Sequence, residues 1–209
     1  IFYLRYIYYD TIGELYKKLK NSFGTQNFTP NRDMIQLGFW PGGDRDGNPF
    51  VTSDITLQVS KELHFSILKS YYAHLKNLRR RLSFRGVSEI LEHLSHLLYD
   101  AIFTENKRIN KNEILDQIVK AKTILIEQHN SLFLNILEDF EDRVKIFGTH
   151  FATLDIRQDS RIHQNTIDEI FIKKSGLNLQ ETSTEDQLKW LLETDVVVDF
   201  SDFEGITRD

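Results

Sequence analysis

Apolar residues recur at helical spacing along most of the chain. Ile12, Leu15, Tyr16 and Leu19 predict a helix from about Tyr8 to Phe23, closed near Gly24 with Pro30 beyond. Thr52, Ser53 and Asp54 offer N-caps for a long helix reaching about Leu82, with Leu68, Tyr71, Leu75, Leu78 and Leu82 as its apolar stripe. Leu91, Leu94, Leu97 and Leu98 mark another over Ser88 to Ile102, and the polar stretch Thr104 to Asn112 reads as a surface loop. A helical hairpin follows. Ile114, Ile118, Ala121 and Leu125 line one arm; Leu134, Leu137, Phe140, Val144 and Phe147 line the other, which stops at Gly148. Two short apolar runs break the pattern. Ile35 to Trp40, closed by Pro41, Gly42 and Gly43, and His150 to Ile156 are too short for helices and predict buried strands. A helix from about Gln158 to Lys173 is closed by Gly176, and Ser183 to Asp186 resembles a capping box for a short helix through Leu192.

The pattern is mainly α, with two short strands. Two strands make no stable sheet alone, so their partners are expected outside this sequence, in a larger α/β or mostly helical enzyme. The opening at Ile1 without Met, inside a helical pattern, and the stop at Asp209 in a polar stretch fit an internal piece. Composition agrees with a soluble protein, since 40% of residues are hydrophobic and 27% charged. A net charge of −5 gives no global attraction to nucleic acid or anionic membrane. With no Cys, disulfides and thiolate metal sites are excluded. No apolar run approaches the ~20 residues of a membrane span, and Ile1 to Tyr9 does not read as a signal peptide, which makes the cytoplasm the expected compartment.

Two segments carry candidate chemistry. In Pro41-Gly42-Gly43-Asp44-Arg45-Asp46-Gly47-Asn48-Pro49, glycines and prolines fix a tight path that lets backbone amides approach a ligand, between a strand and a helix N-terminus where anions bind well. Arg45 stands between two carboxylates that can orient its guanidinium or coordinate a metal. The alternative is a turn whose Asp and Asn side chains satisfy their own backbone. An EF-hand fails because Pro49 and Ile55 occupy its Gly and Glu positions. In Leu154-Asp155-Ile156-Arg157-Gln158-Asp159-Ser160, Arg157 is suited to grip phosphate bidentately at a strand's C-terminal end, with His163 further along; the alternative is a salt bridge between Asp155 and an Arg. Three other features read more simply. His93 and His96 form a helix-surface pair, Arg79 to Arg81 a solvated basic helix end, and Phe2, Tyr3, Tyr6, Tyr8 and Tyr9 a core face that has lost its covering.

Together the segments resemble the phosphoenolpyruvate carboxylases. The family's Gly-Gly-Asp-Arg-Asp-Gly-Asn-Pro signature is matched without change from Gly42 to Pro49, with Val51 and Thr52 following. Phe147 and Gly148 with Leu154 to Gln158 resemble its Phe-Gly strand ending in Leu-Asp-Ile-Arg-Gln. This chain departs at Pro41 (usually Met), at Asp159-Ser160 (usually Glu-Ser) and at Arg161-Ile162-His163, where the family's Arg-His pair is split. The resemblance implies Mg²⁺-dependent carboxylation of phosphoenolpyruvate by bicarbonate, through carboxyphosphate and an enolate, to oxaloacetate and phosphate. It implies that Arg157, Arg45 and Asp46 are catalytic, that Arg157, Gln158, Gly43 and Asn48 bind substrate, and that metal ligands lie beyond Asp209. It further implies a homotetramer and a (β/α) barrel. On this reading residues 1–209 are an internal fragment of one catalytic domain. It comprises a strand and Gly-rich loop at 35–50, a helical excursion at 52–147, a strand and active-site segment at 150–163, and C-terminal helices at 158–209. The family's Thr-Ala-His-Pro segment and Gly-Arg-Gly-Gly-Ser loop are missing, so the chain alone is expected to be inactive. The competing expectation is a helical interaction module in which the Gly-rich loop is only a turn.

Overall fold

The computed structural model describes residues 1–24, 34–46, 48–176, 178 and 181–193, so the predicted tail to Asp209 lies largely outside the described residues. These residues are mainly helical. A π-helical segment Leu4–Tyr8 runs into α1 (Tyr9–Phe23); α2 (Ser53–Arg79), α3 (Val87–Phe103), α4 (Lys111–Gln128) and α5 (Leu134–Phe147) follow, then α6 (Ser160–Ser175) and α7 (Thr184–Glu193). The strands are β1 (Gly38–Phe39) and β2 (Thr153–Leu154). The chain divides into two compact units: Ile1–Phe39 with Gln58–Leu154, and Trp40–Leu57 with Asp155–Asp209.

In the first unit the predicted stripes are the core, except that Leu15 of α1 is exposed. Leu68, Tyr71, Leu75 and Leu82 of the α2 region, Leu91, Leu94 and Leu98 of α3, Ile114, Ile118, Ala121 and Leu125 of α4, and Leu137, Phe140 and Val144 of α5 are all fully buried. Burying a Leu or Ile side chain contributes about 1.5–3 kcal/mol, so this row of contacts supplies most of the driving force for the unit. The N-terminal aromatics divide: Tyr9 is buried, whereas Phe2, Tyr3, Tyr6 and Tyr8 are exposed. His93 and His96 are exposed on α3.

The polar stretch Thr104 to Asn112 is not wholly a surface loop. Asn110 caps α4 in a complete capping box, its Oδ1 accepting the Glu113 amide at 3.0 Å while Glu113 Oε2 accepts the Asn110 amide at 2.7 Å. Ile109, just before the cap, is buried with Ile114, four residues after the cap, at the positions of a hydrophobic staple.

Periodicity also conceals charge in the core, because Glu141, Asp142 and Arg143 of α5 are all buried. Each is neutralised. Lys122 of α4 donates to Glu141 at 2.6 Å, Lys145 pairs with Glu141 at 2.6 Å, and Lys20 of α1 pairs with Asp142. Arg143 pairs with Asp139 at 2.5 Å and lies with its Cζ 5.4 Å from the Tyr9 ring centroid. This last guanidinium fits only because α1 carries a glycine: a Cβ on Gly13 would lie 2.2 Å from Arg143 Cζ.

The strands are shorter than predicted and only half-buried. They pair in parallel as Gly38↔Thr153 and Phe39↔Leu154, with the Thr153 amide donating to the Leu37 carbonyl at 2.8 Å. Gly38 and Thr153 face solvent while Phe39 and Leu154 turn toward the core. The approach of β2 is fixed from α2, where Tyr71 Oη donates to the Gly148 carbonyl at 2.7 Å and His64 Nδ1 to the Thr149 carbonyl at 2.6 Å.

Gly13→Ala is expected to destabilise the chain by about 1–3 kcal/mol despite alanine's better helix propensity, because the added Cβ pushes the Arg143 guanidinium away from Asp139 and the Tyr9 ring. A urea titration followed by circular dichroism measures this; unchanged or increased stability would show that Arg143 repacks freely.

Candidate active site

The second unit contains both chemistry-bearing segments, the loop after Trp40 and the segment from Asp155, together with the first turn of α2. The loop begins with a tight turn in which the Gly43 amide donates to the Trp40 carbonyl at 3.0 Å. Pro41 presets the first central position, and Gly42 takes the second at φ 83°, which a side chain would disfavour. Pro41 is therefore well placed in this turn.

From the turn the backbone runs alongside the second segment. Asp44 and Arg157 form a parallel bridge, in which the Arg157 amide donates to the Gly43 carbonyl and the Arg45 amide to the Arg157 carbonyl, both at 2.9 Å. Arg157 is thus held by its backbone on both sides, and its side chain leaves a fixed point. The guanidinium lies over the Trp40 indole, Cζ 5.3 Å from the ring centroid. Asp44 Oδ2 is 3.9 Å from Nη1 and Asp46 Oδ2 is 3.9 Å from Nη2. Trp40 Nε1 donates to Asp44 Oδ2 at 2.6 Å, which fixes ring and carboxylate together.

The distances indicate what this arrangement can bind. Ion pairs of 3.9 Å are well beyond the ~2.8 Å of a charge-assisted hydrogen bond, and the Arg157 side chain remains 54% exposed. Trp40 occupies a face of the guanidinium, whereas hydrogen bonding uses the edge. The edge remains open to a planar or tetrahedral oxyanion, and Asp44 and Asp46 balance the charge without saturating the donors.

Arg45 does not sit between its neighbouring carboxylates. Those carboxylates face Arg157, while Arg45 Nη2 donates to Thr56 Oγ1 at 3.2 Å. The Thr56 hydroxyl lies 2.7 Å from the Gly42 carbonyl and 3.1 Å from the Thr52 carbonyl, sharing its single proton between them. Arg45 therefore ties the glycine turn to the start of α2. Asn48 Oδ1 accepts the Phe50 amide at 3.1 Å and Asp44 Oδ1 the Asp46 amide at 3.4 Å, the local turn contacts that composition suggested. Gly43 is buried, Gly47 lies outside the described residues, and Asp155 is exposed; the carboxylates facing Arg157 are Asp44 and Asp46 instead.

Beyond Arg157, Gln158 Oε1 accepts the Asp159 amide at 3.0 Å. Asp159 is the N-cap of α6: its Oδ1 accepts the Arg161 amide at 2.8 Å, and its two oxygens take Arg161 Nε at 3.0 and 3.1 Å. The displaced arginine is thus occupied by the aspartate beside it. Ser160 and His163 are exposed. Sequence reasoning missed Trp40, taken as the last residue of a strand, and Thr56. The available signals were an aromatic residue immediately before the glycine turn and a threonine one helical turn beyond Thr52.

Hydrogen bonds from the Arg161 side chain, then its amide, hold the Asp159 carboxyl down to about 2. A carboxyl lowered in the folded state stabilises it fully above the ordinary value near 4, and that contribution disappears as pH falls through about 2. The first turn of α6 is expected to loosen between about pH 4 and 2. Proton-detected titration of Asp159 and the Arg161 amide tests this: a midpoint near 4 would mean that the pair does not form in solution.

A family model described as phosphoenolpyruvate carboxylase matches residues 1–108 and 89–195. A phosphoenolpyruvate carboxylase of Nitrosomonas europaea is 27% identical over the whole of this chain and 28% of its own length. One of Vibrio vulnificus is 30% identical over 77% of this chain and 22% of its own, and one of Trichormus variabilis is 27% identical over 90% and 24%. The chain thus spans about a quarter of the length of these curated relatives.

Proposed function

Because the chain belongs to the phosphoenolpyruvate carboxylase family, we propose that it supplies the phosphate-gripping corner of an enzyme that joins bicarbonate to phosphoenolpyruvate, giving oxaloacetate and phosphate. One observation carries this reading: the backbone bridge between the two signature segments places a half-exposed Arg157 guanidinium over Trp40 with its edge donors available.

In the proposed reaction a bicarbonate oxygen attacks phosphorus, and the bond from phosphorus to the enol oxygen breaks, leaving carboxyphosphate and an enolate. Carboxyphosphate releases carbon dioxide and phosphate, and the enolate carbon attacks the carbon dioxide. Arg157 holds the phosphoryl oxygens bidentately while charge moves from the enol oxygen to phosphate, a task for which a cation fixed in advance is effective. Asp46 and Asp44 orient Arg157 from its two nitrogens, and Arg45 positions the loop through Thr56. Gly43 and Gln158 belong to the same corner through the Arg157 backbone and its neighbour, and Asn48 shapes the turn.

The two carboxylates of this corner do not suit Mg²⁺. Asp44 and Asp46 face a guanidinium, and Asp44 already accepts the Trp40 N–H, so we assign the metal's ligands to other parts of a longer chain. The same reading makes residues 35–50 a strand with its Gly-rich loop and 150–163 a strand with the active-site segment, both of a (β/α) barrel within one catalytic domain, with 52–147 as a helical excursion between them and 158–209 as C-terminal helices. It takes the complete enzyme to be a cytoplasmic homotetramer.

In the full-length protein, Arg157→Ala is expected to lower kcat/KM by at least about 10²–10³-fold with unchanged circular dichroism, and Arg157→Lys to recover only part, since an ammonium lacks the fork. Full activity in Arg157→Ala would remove Arg157 from the mechanism and favour a helical interaction module. The 209-residue chain by itself is expected to form no oxaloacetate from phosphoenolpyruvate, bicarbonate and Mg²⁺; measurable product would refute that expectation.

A further inference from the structure

The turn between α2 and α3 carries Arg79-Arg80-Arg81-Leu82-Ser83-Phe84, the one place in the sequence where a serine or threonine follows arginines both two and three positions before it. A basic helix end accounts for cations near the C-terminus of α2. It does not account for the hydroxyl that follows them, nor for where that hydroxyl sits. Ser83 is exposed, lies outside both helices and enters no hydrogen bond among the described residues.

The residues on either side of Ser83 are anchored. The Arg81 and Leu82 amides donate to the Leu78 carbonyl at 2.9 and 2.8 Å, and Leu82 is fully buried. Beyond Ser83 the Phe84 carbonyl accepts the Val87 and Ser88 amides at 3.1 and 2.9 Å, and the Phe84 ring centroid lies 4.9 Å from that of His129. Drawing Arg80 to Phe84 into an extended form therefore lifts Leu82 and Phe84 but unwinds neither α2 nor α3.

Ser83 also borders a cleft of about 330 Å³ lined by Lys76, Arg79, Arg80, Ser88 and Glu92. Lys76 stands three and four residues before the two arginines, so the three cations share a face at the end of α2. They meet one carboxylate there, Glu92, which Arg79 Nη2 reaches at 3.1 Å across exposed surface. A pair of this exposure is weak and gives way readily to a dianion. The other hydroxyl of the cleft, on Ser88, already donates to Glu89 Oε2 at 2.9 Å in the first turn of α3.

We propose that Ser83 is a phosphorylation site, modified by a protein kinase that reads basic residues before its acceptor, and that Lys76, Arg79 and Arg80 hold the phosphate. Two arginines before the acceptor and an apolar residue after it form a charge pattern of the kind by which kinases select substrates. In the transfer, Ser83 Oγ bonds to the terminal phosphorus of a nucleoside triphosphate and the bond from that phosphorus to its bridging oxygen breaks. The nucleoside diphosphate leaves, and the hydroxyl proton passes to the kinase's base. The new phosphate draws Arg79 away from Glu92, so the link between α2 and α3 becomes one between phosphoserine and the end of α2.

The catalytic subunit of cyclic-AMP-dependent protein kinase serves as the probe, with Mg²⁺ and ATP, acting on the full-length protein, and peptide mass mapping locates the phosphate. The expected result is modification at Ser83, lost in Ser83→Ala and slowed at least about tenfold in Arg80→Gln and Arg81→Gln, both at exposed positions. Arg85→Gln, which removes the arginine three positions before Ser88, should leave it unchanged. No phosphate at Ser83, or modification at Ser88 in its place, would overturn the assignment. Phosphorus NMR of the modified protein then tests the holding cations. The phosphate should titrate about half a pH unit lower in the folded protein than in urea, because neighbouring cations favour its dianion. That difference should shrink in Lys76→Gln and Arg79→Gln, which keep the two arginines the kinase reads. Equal midpoints in the folded and unfolded protein would mean that these side chains do not hold the phosphate.

Discussion

Two backbone hydrogen bonds, from the Arg157 amide to Gly43 and from the Arg45 amide to Arg157, hold together the two stretches of sequence that carry the chemistry. Everything notable about the site follows from that pairing. It fixes the point from which the Arg157 side chain departs and sets Trp40 beneath its guanidinium, with two aspartates near its nitrogens. The glycine turn makes the pairing possible, because Gly42 takes a backbone conformation closed to most residues and delivers the Gly43 carbonyl to Arg157.

The helices were legible because burial imposes a period near 3.6 on the residues that face a core. Leu91, Leu94 and Leu98, or Ile114, Ile118 and Leu125, have one reading only, and the structure buries all of them. The errors arose where one signal masks another. The polar composition of Thr104 to Asn112 concealed a capping box and a buried Ile109, since caps are themselves made of loop-like residues. The apolar runs at Ile35 to Trp40 and His150 to Ile156 indicated low polarity, but they said nothing about how many residues find a strand partner. Glu141, Asp142 and Arg143 were invisible as core because charge is normally read as exposure, and Lys122 and Lys20, which neutralise Glu141 and Asp142 from α4 and α1, are remote in sequence.

The candidate site was legible in identity but not in orientation. The unbroken Gly42 to Pro49 signature and the Leu154 to Gln158 segment directed attention to Arg157, Arg45 and Asp46. Sequence order placed Arg45 between two carboxylates, yet the turn sends its side chain to Thr56 and leaves Asp44 and Asp46 to Arg157. Adjacent residues in an irregular loop do not share a direction, so neighbourhood in sequence is a poor guide to ionic partnership there. The Asp159 and Arg161 substitutions proved to be one local device, the helix cap and the arginine that folds back on it.

The short parallel ladder also has a kinetic meaning. It joins Gly38 to Thr153 across the full run of α2 to α5, whereas α3 with α4 and α4 with α5 are contacts between chain neighbours. Closing so long a loop in a flexible chain costs about 4 kcal/mol of entropy, which the two ladder pairs offset together with the packing of α1 on α5. Local hairpins form before such a long-range closure becomes affordable, so the order of assembly runs from the helices to the ladder. By this argument the strand ends complete only with the docking of α1 on α5, after the local helix pairs have formed.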